Sequence, residues 1–111
     1  MQTLTQDRCI PCEGGVPKYT DEQIAELSGQ VPEWRVVESH HIVREWKFAD
    51  FASVLKAVNA IGAIAEAEGH HPDIRFGWGY LEVTLYTHAI DGLFRNDFIM
   101  AAKIDAALAA L

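Results

Sequence analysis

The segment from Glu66 to Ile74 reads EAEGHHPDI and sets two adjacent histidines, His70 and His71, between a glycine and a proline. An imidazole has an unperturbed pKa of about 6.5, so it gives or takes a proton near neutrality. Gly69 frees the chain from helical geometry and Pro72 pushes His71 toward an extended conformation, so both rings can face one cleft. Glu66, one turn before His70, adds a carboxylate within reach. A polar loop after a helix is the plain alternative for the same residues. Of the other histidines, His40 and His41 lie at a strand entry, where neighbouring side chains point to opposite faces. They are expected to be surface residues that do not act together.

Other chemistries find less support. Two histidines four apart on a helix, or a similar ligand spacing, are absent, and adjacent residues rarely bind one ion, so no metal is expected. No G-x-S-x-G elbow is present for a covalent route. Cys9 and Cys12 in CIPCEGG have the spacing of a redox dithiol or of half a zinc site. The other half is missing, and the pair lies in a Pro/Gly-rich leader instead of at a strand-to-helix junction. A reduced pair in a surface loop is the expectation.

The chain of 111 residues has half its positions hydrophobic and a net charge of −7, which is the composition of one globular domain. The clustered Lys and Arg that phosphate binding needs are missing, which excludes nucleic acid as a direct partner. The start, MQTLTQDRC, has no basic segment followed by an apolar run, and no stretch approaches a membrane span. A cytoplasmic protein without membrane association is expected.

Residues 1–19 show no periodicity and are expected to form an extended arm over a single domain of residues 20–111. Thr20 and Gln23 predict a capping box that opens a short helix ending near Gly29. The stretch from Glu33 to Phe48, rich in Val, Ile and Trp with a polar break at ESHH, predicts a hairpin. Asp50 then caps a long amphipathic helix carrying Phe51, Val54, Leu55, Val58, Ile61 and Ile64, which Gly69 ends. Ile74, Phe76 and Trp78 alternate, as do Leu81, Val83 and Leu85 beyond GWGY, which predicts a second hairpin. Helical spacing returns through Phe98, Ile99, Ala102 and Ile104. The outcome is an α+β fold in the order α-β-β-α-β-β-α, a four-stranded antiparallel sheet with helices packed on one face.

From Glu66 the pattern continues as Glu, His70-His71-Pro72, Trp78, His88 and Asp97. This spacing resembles the signature of the pterin-4a-carbinolamine dehydratases. REWKFADF upstream, Trp34, the leader CIPCEGG and NDFIMAAKID downstream are similar to the family too, so nearly the whole chain is covered. The resemblance implies the same helix-flanked four-stranded sheet. It also implies loss of water from 4a-hydroxytetrahydropterin to give quinonoid dihydropterin, in pterin recycling, without a cofactor. By carry-over, His70 and His88 approach the hydroxyl from opposite faces as acids, while His71 holds the pterin and takes the N5 proton. Glu66 would orient an imidazole or bind the amino-pyrimidine edge, Trp78 would wall the pocket, and Asp97 would join in binding.

Three positions depart from simple expectation. Asp97 in the first turn of a helix is favoured by the helix dipole whatever its chemistry. Phe94 stands where the family commonly has Ser or Thr to cap the last helix, leaving Asn96 or Asp91 as caps. Strict alternation in LEVTLYTH aims His88 away from the face of Leu81, Val83 and Leu85, so either the pocket lies off that face or the strand ends before His88. The resemblance also implies a homodimer or homotetramer. Its alternatives are a non-catalytic dimerisation cofactor of a transcription factor and a dehydratase acting on a molybdopterin-linked pterin.

Overall fold

The computed structural model of the chain describes residues 3–11 and 14–111. Thr20 Oγ1 accepts from the Gln23 N–H at 3.3 Å and Gln23 Oε1 accepts from the Thr20 N–H at 2.9 Å, so the capping box opens helix α1, Asp21–Ser28. Strands β1, Arg35–Val37, and β2, His41–Lys47, follow as a hairpin. Glu38 and Ser39 in its turn both have positive φ, an arrangement that closes a hairpin tightly.

Asp50 Oδ1 accepts from the Ser53 N–H at 2.8 Å and starts α2, Phe51–Glu68. Its buried stripe is Val54, Ala57, Ile61 and Ala65, at helical spacing. Gly69 ends the helix at φ 67°, a left-handed position that glycine takes without steric cost. Strands β3, Asp73–Gly77, and β4, Tyr80–Leu85, form the second hairpin, and α3, Arg95–Ala109, closes the fold.

All neighbouring strands are antiparallel, in the order β1-β2-β4-β3. Register aligns Ile42 with Leu85, Trp46 with Leu81, and Ile74 with Val83, which places these side chains on one face. That face joins the α2 stripe and Phe98, Ile99 and Ile104 of α3 in one core. Glu45, Lys47, Arg75 and Glu82 occupy the other face. On the core face Asp105 of α3 accepts from Trp34 Nε1 at 2.9 Å and from Arg44 Nη1 at 2.7 Å, so a strand arginine is tied down under a helix. The order α-β-β-α-β-β-α and the helix-backed antiparallel sheet agree with the hydrophobic periodicity.

Two details differ from expectation. Trp78 lies in the β3–β4 turn, beside Gly79 at φ 82°, and so leaves the alternation of Ile74 and Phe76. The segment before α1 is not wholly extended: Leu4–Gln6 forms a 3-10 turn, and Leu4 is buried in the core. Among the described residues no helix is long and apolar enough to cross a membrane.

Phe98 is fully buried where α3 meets the sheet. Phe98→Ala is expected to lower the unfolding free energy by about 3–5 kcal/mol. A urea titration measures this, and a loss below about 1 kcal/mol would mean the helix is not seated as described.

Candidate active site

Gly69 turns the chain out of α2, and the next two residues carry their rings in different directions. His70 points back under the domain: its Nε2 lies 2.7 Å from Asp97 Oδ1, in the first turn of α3. The second Asp97 oxygen accepts from Thr87 Oγ1 at 2.8 Å and from the Phe94 N–H at 3.0 Å. Asp97 is 0% exposed, so its carboxylate exchanges water for three protein donors. The tautomer follows from the partner: a carboxylate accepts, so Nε2 carries the hydrogen and Nδ1 is the nitrogen left for chemistry.

His71 stays at the surface, with Nε2 2.7 Å from Glu66 Oε2. Glu66 therefore serves His71, while the partner of His70 comes from the far end of the chain. His88 opens a 3-10 turn, His88–Ile90, because β4 has already ended at Leu85. Its ring stacks on Tyr86 with centroids 4.2 Å apart and its Nε2 lies 4.0 Å from Asp73 Oδ2, beyond hydrogen-bond range. His70, His71 and His88 line one open cleft of about 310 Å³, together with Tyr86, Thr87 and Ile10.

Other expectations are corrected. Trp78 does not reach this cleft: it is 71% exposed at the opposite end of β3. It lies five positions beyond Asp73 along the strand, roughly 16 Å at the rise of a strand. Asp97 has no free face toward the cleft, so its contact is with His70 and not with a bound molecule. Neither Asn96 nor Asp91 caps α3; Asp97 does so by reaching back to the Phe94 N–H. Asp91 instead pairs with His40 at 2.7 Å, which holds its carboxyl below the usual range. His40 and His41 do meet, with Nδ1 atoms 3.1 Å apart, because His40 belongs to the turn and escapes strand alternation. His40 also packs on Tyr86, 4.6 Å between centroids.

Tyr86, Thr87 and Ile10 were not singled out from the sequence. The first two directly precede His88 in LYTH, which is the signal that could have found them. Burial pushes the Cys9 thiol up to about 12, helped by the nearby Glu68 charge, so at neutral pH it is a thiol and not a nucleophilic thiolate. Cys12, the other half of the CxxC pair, lies outside the described residues. Among the described residues no three His, Cys, Asp or Glu side chains converge as a metal set.

Residues 17–107 match the family model described as pterin 4 alpha carbinolamine dehydratase. The chain belongs to this family. Among its relatives, a protein of Rubrobacter xylanophilus named "Putative pterin-4-alpha-carbinolamine dehydratase" is 48% identical over 105 residues, 95% of this chain and 98% of the relative. One of the same name from Alkaliphilus metalliredigens is 45% identical over 106 residues, covering 95% and 96%. Two solved structures are similar. The transcriptional coactivator/pterin dehydratase of Brucella melitensis has a TM-score of 0.77 at 28% identity, over 82% of this chain and 98% of that one. A pterin dehydratase-like protein identified as a RuBisCO assembly factor in the alpha-carboxysome has a TM-score of 0.59 at 26% identity, over 68% and 89%. The dehydratase-family fold thus accompanies more than one described role.

Removing the Asp97 carboxylate leaves the Thr87 hydroxyl, the Phe94 N–H and His70 without their acceptor. Asp97→Ala is expected to cost on the order of 3 kcal/mol, and Thr87→Val about 1 kcal/mol. Urea midpoints at unchanged m-value measure both, and equal midpoints in wild type and Asp97→Ala would contradict the buried network.

Proposed function

We propose that the protein is a hydro-lyase that removes water from 4a-hydroxytetrahydropterin and releases quinonoid dihydropterin, by acid/base catalysis from His70, His71 and His88. The observation carrying this reading is the convergence of three imidazoles on one cleft, one of them oriented by a buried carboxylate, in a chain of the dehydratase family.

The chemistry balances with these groups alone. An imidazolium at His70 or His88 gives a proton to the 4a-hydroxyl, the C4a–O bond breaks, and water leaves. The N5 electron pair forms the C4a=N5 double bond, and the N5 proton passes to His71. One proton enters and one departs, so the imidazoles return to their starting states through solvent. Asp97 fixes the orientation of the His70 ring for the transfer, as Glu66 does for His71 at the surface. Such positioned groups typically contribute 10²- to 10⁴-fold each. In a cell whose aromatic hydroxylases leave the 4a-hydroxypterin, the reaction returns the pterin to its reductive cycle.

The test follows the decay of freshly generated 4a-hydroxytetrahydropterin. Wild type is expected to accelerate it well above buffer, His71→Ala to lose about 10²-fold or more, and Asp97→Asn to lower kcat with little change in KM. Equal decay in wild type, His71→Ala and buffer would overturn the enzymatic reading and leave a binding or assembly role.

We also propose that the chain forms a symmetric homo-oligomer through the edge strand β3. Its backbone edge is unpaired in the sheet order β1-β2-β4-β3, and Phe76 on β3 packs against Phe51 of α2 while both stay exposed, with Leu55 beside them. Light scattering is expected to report a dimer or tetramer. Phe76→Asp is expected to shift it toward monomer; an unshifted mass would place the interface elsewhere.

A further inference from the structure

The segment before α1 is built into the cleft, and the cost of doing so is visible in buried polar groups. Asn96 is 1% exposed, and both ends of its side-chain amide are spent on the backbone of one residue. Its Oδ1 accepts from the Ile10 N–H at 3.0 Å and its Nδ2 donates to the Ile10 carbonyl at 2.7 Å. One residue earlier, the Cys9 N–H donates to Glu68 Oε1 at 2.8 Å, and Glu68 is held in turn by Lys103 at 3.2 Å. Burial opposes ionisation of Glu68, but the Cys9 N–H and Lys103 outweigh it and keep its carboxyl below the usual range. Arg95 pairs with Asp7 further back along the same segment.

This clasp fixes more than the fold. Asn96 and Asp97 are consecutive in the first turn of α3: one sets the backbone of Ile10, the other sets the ring of His70. The Ile10 backbone and the imidazole are therefore held in register through a single helical turn. Ile10 is 52% exposed and lines the cleft as its largest aliphatic member, beside three histidines, Tyr86 and Thr87. A large aliphatic group whose backbone is fixed at the mouth of a polar cleft presents apolar surface that a bound molecule can cover. The residues of the clasp on the leading segment also precede the stretch 17–107 that matches the family model.

We propose that Ile10 is a substrate-positioning residue, packing on one face of the ring system of a reduced pterin whose 4a position faces the histidines. The inference rests on the proposed function, since it takes its ligand class from there. The leading segment is then a wall of the site and not merely a cover of the domain.

The experiment has two arms. In steady-state dehydration, Ile10→Ala is expected to raise KM roughly five- to tenfold, the effect of uncovering about half an isoleucine side chain, with kcat within about twofold. Ile10→Val is expected to recover most of the loss, and the thermal midpoints of both variants to match wild type. In the second arm, 7,8-dihydropterin is titrated into wild type labelled with ¹³C in isoleucine methyl groups, and the Ile10 signal is expected to move together with the ring signals of His70 and His71. An unchanged KM in Ile10→Ala, or a still Ile10 signal while the histidine signals move, would overturn the inference and leave the proposed function standing. A lowered thermal midpoint with kcat and KM falling together would overturn it too, showing a structural clasp only. A wild type that neither dehydrates the substrate nor shows any histidine shift would remove the proposed function, and this inference with it.

Discussion

The arrangement of the site depends on one buried carboxylate. Asp97 closes the start of α3, takes the Thr87 hydroxyl beyond β4, and holds His70 after α2. A carboxylate withdrawn from water costs several kcal/mol, which only a full set of donors offsets. Two of the donors, His70 and Thr87, come from other segments of the chain, so satisfying the charge draws those segments to the start of α3. The histidine is oriented because the acid cannot be buried without it.

The first turn of α3 is consequently the junction of the molecule. Asn96 faces the leading segment, Asp97 faces the loop that carries His70, and Phe98 enters the core. Packing of Phe98 seats the helix, and seating the helix places the two polar neighbours. The cleft that results is uneven in rigidity. His70 is locked from beneath, while His71 and His88 stand in solvent with lighter restraint from Glu66 and Tyr86.

Most of the architecture was legible in residue order. Thr20 and Asp50 announced helix starts because their side chains can bond a backbone N–H only a few residues on, and Gly69 announced an end because it tolerates positive φ. Alternation in Ile74–Phe76 and Leu81–Leu85 located the second hairpin for the same local reason. The misplacements were also local. Trp78 continued the alternation on paper, but the two-residue turn through Gly79 removed it from the strand and from the cleft. His40 counted as a strand residue until positive φ at Glu38 and Ser39 put it in a turn facing His41.

What the sequence by itself determined was the set of elements, their order, and the residue types able to move protons: short-range rules of capping, period and turn conformation govern these, and they act within a few positions. What only the tertiary structure decided was pairing. Glu66 stood nearer His70 in the chain yet bonds His71, and the acid serving His70 arrives from α3. Ile10 carried no local signal and became part of the cleft through the amide of Asn96. Hydrogen bonds of this kind join residues by distance in space, and that distance is set when the core packs.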